Sequence, residues 1–229
     1  MCALGHMLEE RGFSTVALAS VRAQAEKTRP PRALWTPGML GRPLGAAGDP
    51  AFQFQVIRAA LGLLMRTDGP VILEDFPDDP SDAADNLAWA PPALETATDF
   101  PRELRALMPA WQVAQKRFGR TTVGLSFQSP EAWPDFAAAF LSGGLPAVPE
   151  LGMPALSLRF LCDDIKALYG EAAQAYRPSP SARQIDTWFW RQTHAGALLQ
   201  SLRTAAMASE NNALKTVGGR FFVPAPWAA

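Results

Sequence analysis

Residues 30–50 read PPRALWTPGMLGRPLGAAGDP, and no other segment limits the fold as strongly. Proline fixes φ and has no N–H to donate, so neither a helix nor a central strand can continue through Pro30-Pro31, Pro37 or Pro43. Between them only residues 32–36 (RALWT) can be regular, and they are too few for anything but a short strand. Residues 37–49 contain Gly38, Gly41, Gly45 and Gly48 together with Pro37 and Pro43. Glycine permits positive φ and close backbone approach, while proline removes flexibility, so this loop is shaped rather than floppy. Asp49-Pro50 then supplies a helix N-cap followed by proline at the first helical position.

The flanking sequence extends that strand-loop-helix unit. Residues 1–11 place Leu4, Met7 and Leu8 on one helical face, and Gly12 stands where a helix would stop. No capping residue precedes this helix. Residues 13–20 (FSTVALAS) suit a strand buried on both faces, and residues 21–29 suit a helix that Pro30-Pro31 ends. After the loop, a helix over residues 50–65 aligns Phe52, Val56, Ala59, Ala60 and Leu63. Asp68-Gly69 then turns, residues 71–73 form a strand, and residues 74–82 are an acidic, proline-broken exit. This alternation predicts a parallel α/β layer over residues 1–82.

Residues 83–99 read as a linker in which Trp89 docks. Residues 100–229 predict an all-α helical domain of four helices, over residues 101–118 with a kink at Pro109, then 129–144, 155–176 and 181–209. Two further strands are expected at residues 121–127 and 220–223. Trp188 and Trp190 straddle Phe189, which predicts that one of these aromatics is exposed or packs on the other domain.

Composition excludes several function classes. Net charge is -1, which favours neither nucleic acid nor an anionic membrane. The longest uncharged run, residues 136–149, is interrupted by Gly143, Gly144, Pro146 and Pro149 and is too short to span a bilayer. No signal peptide pattern opens the chain, and cytoplasm is the default location. Two cysteines cannot build a disulfide framework. No H-E-x-x-H, C-x-x-C, G-x-G-x-x-G or P-loop pattern occurs, and His194 has no partner at helical spacing, so neither a metal nor a cofactor is expected.

A longer string then carries a resemblance. Gly5-His6, Leu8-Glu9-Glu10, Phe13-Ser14-Thr15-Val16, Ala25-Glu26-Lys27, Pro31-Arg32-Ala33-Leu34-Trp35, Leu40-Gly41-Arg42-Pro43-Leu44-Gly45, Asp49, Gln55 and Leu73-Glu74-Asp75-Phe76-Pro77 follow in one order. That order resembles the C-terminal part of the selenoprotein B-like family of glycine, sarcosine, betaine and D-proline reductases, over residues 1–80 and none of the rest. The resemblance implies a thiol/selenol-dependent reductase component, a small carboxylate- or amine-type substrate, and other reductase subunits as partners. In that family a selenocysteine or cysteine motif stands just before the Gly-His helix, and here Met1 falls almost at that point. Two readings stay open, an inactive remnant or a gene that begins upstream of a selenocysteine codon. The second is preferred, because the uncapped helix and the strand that needs neighbours look like a cut through a domain.

The resemblance nominates Cys2 as a resolving thiol and His6 as an orienting or proton-handling group at the same helix end. Independently of the resemblance, Arg42, in the rigid loop with Gly41 and Gly45 at the C-terminal end of a predicted strand, stands where open α/β sheets bind ligands and is a candidate bidentate clamp for a carboxylate. Each has a plainer alternative: Cys2 an inconsequential terminal residue, His6 a packing histidine, Arg42 a tether to Asp49. Cys162, among Phe160, Leu161 and Asp163-Asp164, reads as a buried structural thiol. The acidic residues Glu74, Asp75, Asp78 and Asp79 read as a solvated turn rather than a cation site. If the helical half instead recruits a partner while the loop holds a small anion, the chain is a non-catalytic binding or assembly module.

Overall fold

In the computed structural model three parallel strands lie in the order β1-β2-β3, with β2 (Arg32–Trp35) between β1 (Ala17–Ala19) and β3 (Ile72–Asp75). The structure describes residues 2–37, 43–45, 49–78, 87–94, 97–178 and 180–228. The chain divides into two units, Met1–Asp85 and Asn86–Ala229. The first is an α/β layer and the second is helical.

Helix α1 (Cys2–Glu9) precedes β1, α2 (Arg22–Thr28) links β1 to β2, and α3 (Pro50–Gly62) links β2 to β3. Gly12 has φ +87, the left-handed conformation that stops the chain after α1. Asp49 caps α3, its Oδ1 accepting from the Phe52 N–H at 3.1 Å, with Pro50 in the first turn as the sequence predicts. In an extended strand successive side chains alternate faces. Leu34 therefore joins Val56, Ala60, Leu63, Ile72 and Phe76 in a core on one face, while Ala33, fully buried, lies on the other. The third strand runs into the expected acidic exit. Asp75 accepts from Arg22 Nε at 3.0 Å and Glu74 from Arg66 at 2.7 Å, so the two carboxylates are paired with arginines.

The second unit is built around α6 (Pro154–Ala173), which buries Leu158, Leu161, Ile165 and Leu168 completely. Each such side chain contributes about 2 kcal/mol of burial. Around it stand α4 (Phe100–Phe118), α5 (Trp133–Leu141), α7 (Ala182–Gln192), α8 (His194–Ala208) and α9 (Asn212–Val217). Pro109 lies inside α4, which runs on through it. Trp89 docks within this unit, its indole N–H donating to the Ala173 carbonyl at 3.2 Å.

Three expectations are corrected. The single helix over residues 181–209 is two helices, because Thr193 takes extended backbone (φ -112, ψ 148). Its hydroxyl donates to the Phe189 carbonyl at 2.6 Å and accepts from the Gly196 N–H at 3.0 Å, ending α7 and capping α8. Residues 121–127 are not a strand, because the N–H groups of Gly124, Leu125 and Ser126 go to the Asp164 carboxylate. Residues 218–222 form a π-helical turn instead of a strand, since Gly218 passes so close to Ala206 that a Cβ would lie 2.7 Å from the alanine Cβ. The aromatic triplet also behaves differently from expectation. Trp188 and Phe189 are buried and Trp190 packs against the same core, its ring 4.7 Å from that of Phe189.

The corner between α7 and α8 depends on a missing side chain. A Cβ on Gly196 would sit 2.3 Å from the Phe189 carbonyl oxygen, which is backbone and cannot swing away. Gly196→Ala is expected to destabilise the protein by about 3 kcal/mol, measured by denaturant unfolding. A variant as stable as the parent would show that the corner is not tightly packed.

Candidate functional site

All three strands are parallel, so their carboxyl ends share one edge. Ligands of open α/β sheets bind outside this edge, where helix N-termini and loops converge. Backbone bonding continues one residue past β2 and β3. Thr36 N–H donates to the Ala19 carbonyl at 3.0 Å, and Phe76 N–H to the Trp35 carbonyl at 2.8 Å. The Phe76 ring meets Phe52, in the first turn of α3, edge-to-face at 5.6 Å. The start of α3, the end of β2 and the end of β3 therefore meet at this edge.

The nominated residues divide over the layer. Gly45 is half-buried in the connection from β2 to α3 with φ +74, a conformation that suits glycine. Arg42 and Gly41 lie outside the described residues. Cys2 is the first residue of α1, and its side chain lies outside the description. His6 is exposed in the last turn of α1, with its ring Nε2 3.3 Å from the Thr28 carbonyl. Thr28 ends α2, just before β2 begins, so His6 sits toward the amino edge of the sheet. The loop glycine lies toward the carboxyl edge, and the structure does not bring His6 and Gly45 together.

The amino edge is instead held by a carboxylate. Glu9 accepts from the Thr15 N–H at 2.8 Å, the Thr15 hydroxyl at 3.0 Å and Arg32 Nη1 at 2.6 Å. This is an anchor between α1 and β2, which explains Glu9 and Arg32 without any ligand.

Sequence reasoning missed the polar groups that matter most in the helical unit. Glu103 of α4 is 1% exposed and accepts from Tyr169 Oη at 2.7 Å, His194 N–H at 2.7 Å and Ala195 N–H at 2.9 Å. Asp164 is fully buried and accepts from three backbone N–H groups and from the Ser126 hydroxyl at 2.6 Å. Glu171, two turns later on α6, accepts from the Trp111 indole at 2.8 Å, both threonine hydroxyls of Thr121 and Thr122, and the Thr122 N–H. The i, i+7 spacing of Asp164 and Glu171 on one apolar helix was the available signal. These carboxylates serve loops and helix ends.

The remaining groups give little chemistry. Cys162 is fully buried, and burial pushes its thiol well above the ordinary range, which disfavours the thiolate. His194 donates its backbone N–H to Glu103, and its ring Nε2 lies 3.2 Å from the Ala97 carbonyl. Among the described residues no group of three or more His, Cys, Asp or Glu side chains could hold a metal ion, and no helix is long and apolar enough to cross a membrane.

The Glu9 anchor has a pH signature. Burial alone pushes its carboxyl up, but the Thr15 N–H, the Thr15 hydroxyl and Arg32 together hold it below its ordinary value of 4.5. A folded-state value below the unfolded one gives stability that is present above about pH 4.5 and is lost as pH falls through the folded value. Glu9→Gln is therefore expected to lower stability at neutral pH and to flatten the acid limb of a denaturation profile. An acid limb of unchanged slope would show that Glu9 is not anchored in this way. No family model, no curated protein and no solved structure matches the chain.

Proposed function

We propose that this chain is a component of a thiol/selenol-dependent reductase of the glycine, betaine and D-proline reductase type, acting on a small carboxylate- or amine-bearing substrate. The observation that supports this most is the passage of the central parallel strand, β2, into the Gly/Pro segment at the carboxyl edge of the sheet. That edge is where the resemblance requires the substrate wall to stand. Gly45, in the left-handed region, is consistent with a loop shaped for close approach.

In this reading a selenolate or thiolate forms a bond to the substrate carbon as the C–N bond breaks and the amine leaves. An adjacent thiol then attacks the chalcogen, the carbon departs with the electron pair and takes a proton, and the resulting S–Se or S–S bond is reduced by a dithiol. Arg42 clamps the substrate carboxylate, and Gly41 and Gly45 let the backbone come close. Of the two cysteines, only Cys2 suits the resolving role, because Cys162 is sealed in the helical core. His6 acts at most from the amino-edge side of α1. The reading requires that a redox motif not contained in these 229 residues supply the attacking chalcogen.

One observation favours a second reading for the helical unit. Its buried carboxylates Glu103 and Asp164 and the half-buried Glu171 are engaged by internal donors, so this half suits an assembly or binding role better than a catalytic one.

Two measurements check the proposal. The 229-residue chain is expected to turn over none of glycine, sarcosine, betaine or D-proline with a dithiol reductant, and turnover that survives Cys2→Ser would refute the assigned chemistry. Alkylation followed by mass spectrometry is expected to label Cys2 in the native protein and Cys162 only after unfolding. Rapid native labelling of Cys162 would instead place a reactive thiol in the helical unit.

A further inference from the structure

The helical unit carries a cavity of about 350 Å³, lined by the segment that leads into α4 and by the C-terminal end of α6 with the turn beyond it. That volume lies within the roughly 300–1,000 Å³ of small-molecule sites. The first stretch contributes Trp89, Pro91 and Pro92, the second Ala173, Tyr176 and Arg177. Both walls are held from within the unit. The Trp89 indole N–H donates to the Ala173 carbonyl at 3.2 Å, which pins a half-buried ring to the end of α6. Arg117 Nη1 donates to the Gln174 carbonyl at 2.6 Å and to the Tyr176 carbonyl at 3.4 Å, which ties down the backbone of the second wall. The side chains of Tyr176 and Arg177 have no such task. Tyr176 is 60% exposed and Arg177 is exposed too, and neither the phenol hydroxyl nor the guanidinium has a hydrogen bond or ion pair among the described residues. Among those residues no carboxylate lines the cavity. Glu171, the acid closest to this turn in the sequence, is occupied by Trp111, Thr121 and Thr122.

We infer that this cavity binds a flat aromatic molecule carrying one anionic group, with Trp89 and Tyr176 holding the ring and Arg177 meeting the anion. Indole, proline and alanine surfaces reward an apolar body, and a ring gains further from offset or edge-on contact with the two aromatic side chains. A guanidinium beside apolar walls presents forked donors to an anion and repels a cation. Amines and small zwitterions are therefore disfavoured, because they bring an ammonium toward Arg177 and have no ring for the walls to hold. The site is different in kind from the one proposed for the α/β unit. It uses no residue before Ala88 and does not depend on the reductase reading.

The test measures calorimetric binding of 2-naphthalenesulfonate, the neutral 2-naphthalenesulfonamide and the ring-free methanesulfonate to the 229-residue chain. Wild type is compared with Arg177→Gln, Arg177→Lys, Tyr176→Ala and Arg220→Gln. Arg220 is exposed and outside the lining, so its loss controls for net charge alone. All three substituted side chains are exposed, and thermal midpoints without ligand are expected to match wild type. Naphthalenesulfonate is expected to bind wild type, about tenfold or more weakly Arg177→Gln, with part of the affinity kept in Arg177→Lys. Its binding is expected to weaken in Tyr176→Ala and to be unchanged in Arg220→Gln. The sulfonamide is expected to bind less tightly than the sulfonate and to be indifferent to Arg177→Gln, and methanesulfonate not to bind. Full affinity for the sulfonate in Arg177→Gln, an equal loss in Arg220→Gln, or a sulfonamide held as tightly as the sulfonate overturns the inference. Wild-type protein that binds no naphthalene compound overturns it as well.

Discussion

A single buried carboxylate, Glu103, sets the arrangement of the helical unit. It stands on α4, accepts from a tyrosine on α6, and accepts from the first two N–H groups of α8. A charge taken out of water is costly unless it is fully hydrogen-bonded, and this one meets three donors. The same contacts fix the break between α7 and α8. Helix N-termini leave backbone N–H groups without partners, so a helix starting inside a core needs an acceptor delivered from elsewhere. Thr193 provides one acceptor and Glu103 the rest. Burial also pushes the Tyr169 hydroxyl far above its ordinary range, with Glu103 acting in the same direction, so it stays a neutral donor.

Asp164 and Glu171 apply the same device to the segment after α4. Residues 121–126 have no neighbouring strand, yet their donors are answered by two carboxylates from one helix. A loop held in this way gives up the ladder that a strand would need. Phe127, with φ 56, then turns the chain in a conformation unusual for an aromatic residue. Asp164 and Glu171 are thus committed to holding this segment.

Local signals in the sequence were legible, and long-range ones were not. Gly12 after α1, Asp49-Pro50 before α3 and Ser181 before α7 each mark an element end through contacts spanning a few residues. The parallel layer followed from alternating patterns, and the sheet appears in that form. The break at Thr193 escaped notice because the apolar periodicity carries across it, and its cause lies 90 residues away in Glu103. The strand expected at residues 121–127 failed for a similar reason. Its β-prone composition was real, but a distant aspartate outcompeted any strand partner. In the connection from β2 to α3, Gly45 takes a positive φ of the kind the glycine-rich pattern predicts, whereas nothing in a lone threonine after Trp35 announces an unpaired hydroxyl.

Both units leave some buried polar atoms unmet. In the helical unit the buried carboxylates Glu103 and Asp164 and the half-buried Glu171 have their donors, whereas the Trp133 indole N–H and the Gln128 amide have no partner among the described residues. In the α/β unit Glu9 and Arg32 join α1 to β2 at the amino edge, where Arg32 Nε has no partner among the described residues, and the Thr36 hydroxyl at the carboxyl edge has none either. Folding selects against unmet polar groups because each one lowers stability, and sites that bind a ligand are where such a cost is retained.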